Sequence, residues 1–136
     1  MSFKQFGFVK YLELNLDNNE ISPIPKELKT KRNVIYAIEV DGQLVYIGKT
    51  KNLRKRINYY RTSMNRQTWT SDSTKSKNIY DSLNQGKSVI FYYRQCFDLV
   101  AKNDLGQMEI STMDLEEPIF IKMFNPDWNT QHKEKE

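Results

Sequence analysis

The chain has 136 residues, enough for one domain with one hydrophobic core. Its net charge of +4 is unevenly spread: Lys49 to Lys77 holds nine basic residues and one acid, whereas residues 98–117 hold six acids and only Lys102. A lone cysteine (Cys96), an N-terminus without an apolar core and no run near ~20 apolar residues argue against a disulfide scaffold, a secretory signal and a membrane span, and point to the cytoplasm.

Residues 6–16 end in alternation, with Leu12, Leu14 and Leu16 set against Glu13, Asn15 and Asp17, the pattern of a half-buried strand. Ile21 to Lys31, with Pro23 and Pro25, reads as an extended linker. Residues 1–32 are therefore expected to form a strand arm and linker, laid over the domain or onto a partner, ahead of a domain at 33–136. Val34–Glu39 and Gln43–Gly48 form a hairpin around Asp41-Gly42. A two-residue loop would pair Val40 with Gln43 and set Tyr36 opposite Ile47. A three-residue loop with a G1 bulge pairs Glu39 with Gln43 and sets Tyr36 opposite Tyr46, with Ile35, Ala37, Val45 and Ile47 on the other face. The three-residue loop is the expectation.

Thr50 or Asn52 caps a helix running to about Arg61, with Leu53, Ile57 and Tyr60 as its buried stripe. Arg56 falls on the inward side of that helix; Arg54, Asn58 and Arg61 fall on the outside. Thr62 to Thr74 is polar and reads as a loop. A second helix spans roughly Ser73 to Gln85, stopped by Gly86. Ser88 to Leu99 reads as a strand and Asp104-Leu105-Gly106 as a turn. A last helix begins near Leu115, with Pro118 in its first turn and an apolar circumference that implies deep packing. The tail from Gln131 is charged and expected to fray. The fold class is α+β: a small antiparallel sheet, made of the hairpin and a third strand, flanked by helices.

A basic stripe of this kind is the footprint of a polyanion, or merely a solvated helix face. Glu116 opens a packed helix and should point inward, where a carboxylate needs a base or a metal ion; Glu117 is its rival. Tyr36 and Tyr46 are ordinary packing residues unless a cation lowers their proton affinity, and Lys49, Arg56 and Lys75 are candidates to supply one. One histidine, His132, and one cysteine remote from it make a zinc site or a Cys-His nucleophile a poor fit.

Val34-Ile35-Tyr36, Tyr46-Ile47-Gly48, Lys49, then Arg56, Glu116 and Asn129 occur in an order that resembles the GIY-YIG nuclease superfamily, with Val34 in place of its usual glycine. The segments Y-I-G-K-T-K-N-L-R-K-R-I-N-Y-Y-R, S-D-S-T-K-S around Lys75 and F-N-P-D-W-N-T-Q-H-K are similar to small phage members, in which Lys75 would stand where relatives often place a histidine. The resemblance implies hydrolysis of double-stranded DNA with one Mg2+ (Mn2+ able to substitute) held by Glu116, and a phage enzyme degrading host DNA. It further implies Tyr36 as general base, its proton affinity lowered by Lys75 or Lys49, and Tyr46 as the group that orients the water or phosphate, with an exchange of the two roles left open. Arg56 would stabilise the transition state and Asn129 fix local geometry. Lys49, Lys51, Arg54, Lys55 and Arg61 are expected on the DNA backbone. One active site cuts one strand, so a homo-oligomer, dimer or tetramer, is the expected assembly. The alternatives are a non-catalytic DNA-binding regulator on the same fold and a DNA-repair incision nuclease.

Overall fold

A computed structural model describes residues 2–63 and 71–130; the expectations for 64–70 and for the tail from Gln131, His132 included, lie outside them. In chain order the elements are a 3-10 helix (Phe3–Phe6), β1 (Val9–Leu14), β2 (Leu16–Asp17), β3 (Glu20–Ile21), β4 (Val34–Val40), β5 (Gln43–Thr50), α1 (Leu53–Thr62), α2 (Ser71–Asn84), β6 (Val89–Gln95), β7 (Asp98–Asn103), β8 (Gly106–Ser111) and α3 (Met113–Phe124). β1, β6, β4 and β5 make one antiparallel sheet in that order. β4 is buried at every residue because strands flank both its edges and helices cover both its faces, which is why its sequence is almost continuously apolar.

Side chains alternate across this sheet. Val34, Tyr36, Ile38 and Val40 face α1 and α2, packing against Leu53, Ile57, Tyr60 and Ile79. Ile35, Ala37 and Ile47 face α3 and the N-terminal turn, against Met113, Phe120, Ile121, Phe3 and Phe8. Leu53, Ile57 and Ile79 are fully buried, each stabilising the fold by roughly 1.5–3 kcal/mol.

The hairpin loop differs from expectation. Asp41 and Gly42 both have positive φ, 48° and 81°, and Val40 pairs with Gln43, so the loop has two residues of the type I′ kind. A register shift further down pairs Ile38 with Tyr46 and Tyr36 with Gly48. Tyr36 and Tyr46 still share a face, but diagonally, and the device is a bulge inside β5 rather than a longer loop. Val45, displaced by that bulge, packs with Tyr36 and Ile38 instead of with Ile35.

The N-terminal arm is stitched into the sheet, not set apart from it, since β1 pairs with β6 of the same chain. A register shift between Lys10 and Leu12 moves the burial onto Tyr11 and Leu14. The expected strand at Ser88–Leu99 breaks at Cys96: that residue is buried, and the Phe97 amide turns away to the Thr112 hydroxyl. Beyond the break, β7 and β8 form a solvent-facing ribbon that carries no burial alternation for the sequence to reveal. α3 begins two residues earlier than expected, so Pro118 lies inside the helix and leaves the Asp114 carbonyl without its usual donor. Ile119 and Met123, expected in the core, face solvent.

Candidate active site

The site is built around edge strand β5 and the two helix starts that flank its end. Asn52 caps α1 by accepting the Lys55 amide, which fixes the first turn of that helix and the outward positions of Lys51 and Lys55. A groove of ≈ 680 Å³ runs here, walled by Lys49, Lys51, Lys55, Arg56 and Tyr59 on one side and by Met113 and Asp114 of α3 on the other. The structure therefore brings Lys49, Lys51, Lys55 and Arg56 together, from positions the sequence left merely adjacent.

The phenols stand on the α1/α2 face behind Arg56. Tyr36 is only 2% exposed; its hydroxyl shares a 2.6 Å hydrogen bond with that of Tyr60, and its ring stacks on Phe91. Burial, then the neighbouring Tyr60 and Tyr46, push its proton affinity well above that of a free tyrosine, with the Arg56 charge pulling weakly the other way. The expected lowering at this residue is thus reversed. Tyr46 is half-buried, its ring 5.9 Å from that of Tyr36, and the Lys75 ammonium lies 4.4 Å from its ring centre.

Gly48 explains itself by space. A Cβ there would lie 2.6 Å from both Cζ and Oη of Tyr36. The glycine of the second motif is the slot in which the tyrosine of the first one lies, a relation invisible in sequence because it needs the bulge-shifted register. Asn129 grips the residue between Tyr46 and Gly48. Its Oδ1 accepts from the Ile47 amide (2.9 Å) and its Nδ2 donates to the Ile47 carbonyl (2.8 Å), while the Trp128 amide donates to Val45. The chain end thereby saturates the open edge of β5 over the residues that carry the site.

The two adjacent glutamates of α3 separate. Glu116 points to the sheet face bearing Ile35, opposite to the phenols. There Arg94 Nε donates to Oε1 at 2.7 Å, the Thr112 hydroxyl donates to Oε2, and the Cys96 thiol also reaches the carboxylate. Burial alone would raise the Glu116 carboxyl; the Thr112, Arg94 and Cys96 contacts reverse that and hold it below the usual carboxylate range. Both oxygens already accept a hydrogen bond and a guanidinium sits against one, which disfavours a cation at this residue. The partner it needed is a base, Arg94. Glu117, one position on, is half-buried and acts on Lys49, helping raise that ammonium after the leading contribution of the Asp114 contact. Asp114 itself binds Lys49 Nζ at 2.6 Å. Asp114 lines the groove, and Glu117, three residues on, shares its face of α3. Among the described residues no cluster of three or more His, Cys, Asp or Glu forms a closed metal cage.

Arg54 and Arg61 lie on the outer face of α1, as expected, but their guanidinium groups bind the linker. Arg54 donates to the carbonyls of Ile24, Pro25 and Leu28, and Arg61 to those of Ile21 and Ser22. The proline-bearing linker has few strand partners for these carbonyls, and the two guanidinium forks on the outer face of α1 supply them. The clue in the sequence was a linker rich in unsatisfied acceptors beside an arginine-bearing helix.

No described helix is long and apolar enough to cross a membrane. A family model for the GIY-YIG catalytic domain matches residues 32–99. Endonuclease II of Enterobacteria phage T4 is 60% identical over 131 residues, covering 96% of both chains. A solved structure of a glutamate-to-alanine mutant of bacteriophage T4 EndoII superposes with a TM-score of 0.86 at 56% identity, covering 93% of this chain and 95% of that one. A restriction endonuclease in complex with product DNA shares the fold at a TM-score of 0.54 and 21% identity, over 92% and 82% of the two chains. With its tyrosine pair on β4 and β5, Arg56 on α1 and Asn129 bonded to the edge of β5, and with these matches spanning nearly its whole length, the chain belongs to the GIY-YIG nuclease family.

Proposed function

We propose that this endonuclease hydrolyses phosphodiester bonds of double-stranded DNA in a Mg2+-dependent reaction, Mn2+ substituting, and that it serves a phage by degrading host DNA in the bacterial cytoplasm. The observation that carries the reading is the placement of Arg56: its half-buried guanidinium lines the cationic groove and at the same time acts on the tyrosine cluster behind it. A phosphate drawn in by Lys49, Lys51 and Lys55 would meet that guanidinium, which offsets charge accumulating on the phosphoryl oxygens in the transition state.

The residues divide the work as follows. Tyr46, with the Lys75 cation against its ring, acts in its phenolate form: it orients the attacking water and takes one proton from it, becoming the neutral phenol as the hydroxide oxygen bonds to phosphorus and the 3′ oxygen leaves. Tyr36, whose buried hydroxyl holds its proton tightly, keeps the aromatic stack and Tyr60 in place. Asn129 fixes the Ile47 backbone and hence the spacing of Tyr46 and Gly48. Glu117 is the proposed cation ligand in place of Glu116: a hard, anionic oxygen donor suits Mg2+, whose remaining positions water and phosphate oxygens would fill. When bound, the cation polarises the scissile phosphate and stabilises the leaving 3′ oxygen. Cutting both strands takes two subunits or two visits by one, and the active form is proposed to be a homo-oligomer.

The test is cleavage of supercoiled plasmid with Mg2+ and with EDTA, by the parent chain and by Arg56→Ala. Cleavage only with the cation, and a rate loss of about 10²-fold or more in the variant at retained DNA binding, is the expected result. A parent chain that binds DNA and never cuts it under any divalent cation would overturn the reading in favour of a binding module.

A further inference from the structure

We infer that the N-terminal linker forms the wall of a second backbone-binding groove, which extends the DNA track beyond the active site and places Lys26 on a phosphate flanking the cut. The inference rests on the DNA-cleaving reading above and concerns a surface that reading does not use.

The groove beside the active site does not end at α1. Asn52 and Lys55 line it, and the same two residues line a neighbouring groove of ≈ 540 Å³ on the outer side of the helix start. Pro23, Ile24 and Lys26 of the linker wall this second groove, and Arg54, Lys55 and Arg61 underlie it. Its lining holds four cationic side chains and no carboxylate among the described residues; the nearby Glu27 is exposed and outside the lining. A concave, single-sign surface continuous with a nuclease groove concentrates a polyanion along its length.

The linker can serve as a wall because it is tied down. Arg54 and Arg61 make five hydrogen bonds to carbonyls between Ile21 and Leu28, four of them at 3.0 Å or less. The Tyr11 hydroxyl donates to Lys29, and the Leu53 amide donates to Lys31. The two arginines spend their donors on the linker, yet their charge remains beneath the groove. They are positioning residues for the wall, and the exposed Lys26 is the residue that reaches the ligand. A duplex backbone fits this arrangement better than a compact anion, because the two grooves share a rim and one phosphate could not fill both.

The experiment measures binding of a labelled duplex of about 30 bp, roughly three helical turns, in EDTA across a salt series, followed by KM and kcat with Mg2+. Lys26→Ala is expected to lower the slope of log K against log[salt] by about 0.9 and to raise KM several-fold with kcat within about twofold of the parent. Lys26→Glu should weaken binding further. Lys51→Ala, in the first groove, is the control. If it lowers the slope while Lys26→Glu leaves slope and KM unchanged, the second groove is refuted and the nuclease reading stands. If neither substitution alters binding and the parent does not cleave, the DNA reading fails with it.

Discussion

Gly48→Ala is a one-carbon change whose cost follows from the packing. The added methyl would stand 2.6 Å from Tyr36 Cζ and Oη and 2.9 Å from Cε1, where carbon atoms prefer 3.5–4.0 Å. Relief requires the Tyr36 ring to move by about 1 Å. It is held by a 2.6 Å bond to the Tyr60 hydroxyl and by rings of Phe91 and Tyr46 at 6.1 and 5.9 Å. Overpacking costs about 1–3 kcal/mol, and breaking the buried Tyr36–Tyr60 bond adds about 1 kcal/mol. A loss of about 2–4 kcal/mol, or roughly 5–15 °C in Tm for a chain of this size, is therefore expected in urea and thermal unfolding. The substitution should cost far less in a Tyr36→Leu background, because the two residues share one volume. Equal cost in both backgrounds, or a Gly48→Ala protein as stable as its parent, would refute the argument that this glycine exists to seat that ring.

Three further outcomes follow from the same geometry. Tyr46→Phe should lose most plasmid-cleaving activity while Tyr36→Phe keeps it within about tenfold, since only the former hydroxyl is proposed to meet water; equal losses would restore Tyr36 to the chemistry. Arg54→Ala should free the linker, seen as new protease cleavage between Ile21 and Lys31 and a lower Tm, whereas a purely DNA-facing arginine would leave both unchanged. Because the Glu116 carboxyl is held lower in the folded than in the unfolded chain, its stabilisation is complete above the ordinary carboxyl value near 4.3 and is lost as pH falls through the depressed folded value. The urea midpoint of an Arg94→Met/Glu116→Leu protein should thus fall less steeply with acid than that of the parent; parallel curves would contradict the assignment.

Much of the architecture was legible because local patterns agreed with the global fold. The apolar runs around Asp41-Gly42 and the Asn52 cap with Leu53, Ile57 and Tyr60 each carry their own signal. What escaped lies in relations between segments. The β5 bulge leaves no mark in composition, so the pairing of Tyr36 with Gly48 could not be read in advance. The β7–β8 ribbon has no buried face and hence no alternation. Arg54 and Arg61 sit on the outer face of α1 as expected, but an outer face need not be a free one, and the linker occupies it. The choice between Glu116 and Glu117 turned on where α3 begins. A helix starting at Leu115 has Pro118 in its first turn and favours Glu116; the observed start at Met113 goes with Glu116 under Arg94 and Glu117 toward Lys49.

The most direct measurement compares Glu117→Gln with Glu116→Gln, each isosteric and each removing one charge, for plasmid cleavage across a Mg2+ titration alongside DNA binding in EDTA. The account predicts that Glu117→Gln binds DNA as the parent does and does not cut, while Glu116→Gln still cuts and loses stability through its broken contact with Arg94. Full cleavage by Glu117→Gln, with activity abolished in a folded Glu116→Gln protein, would contradict it.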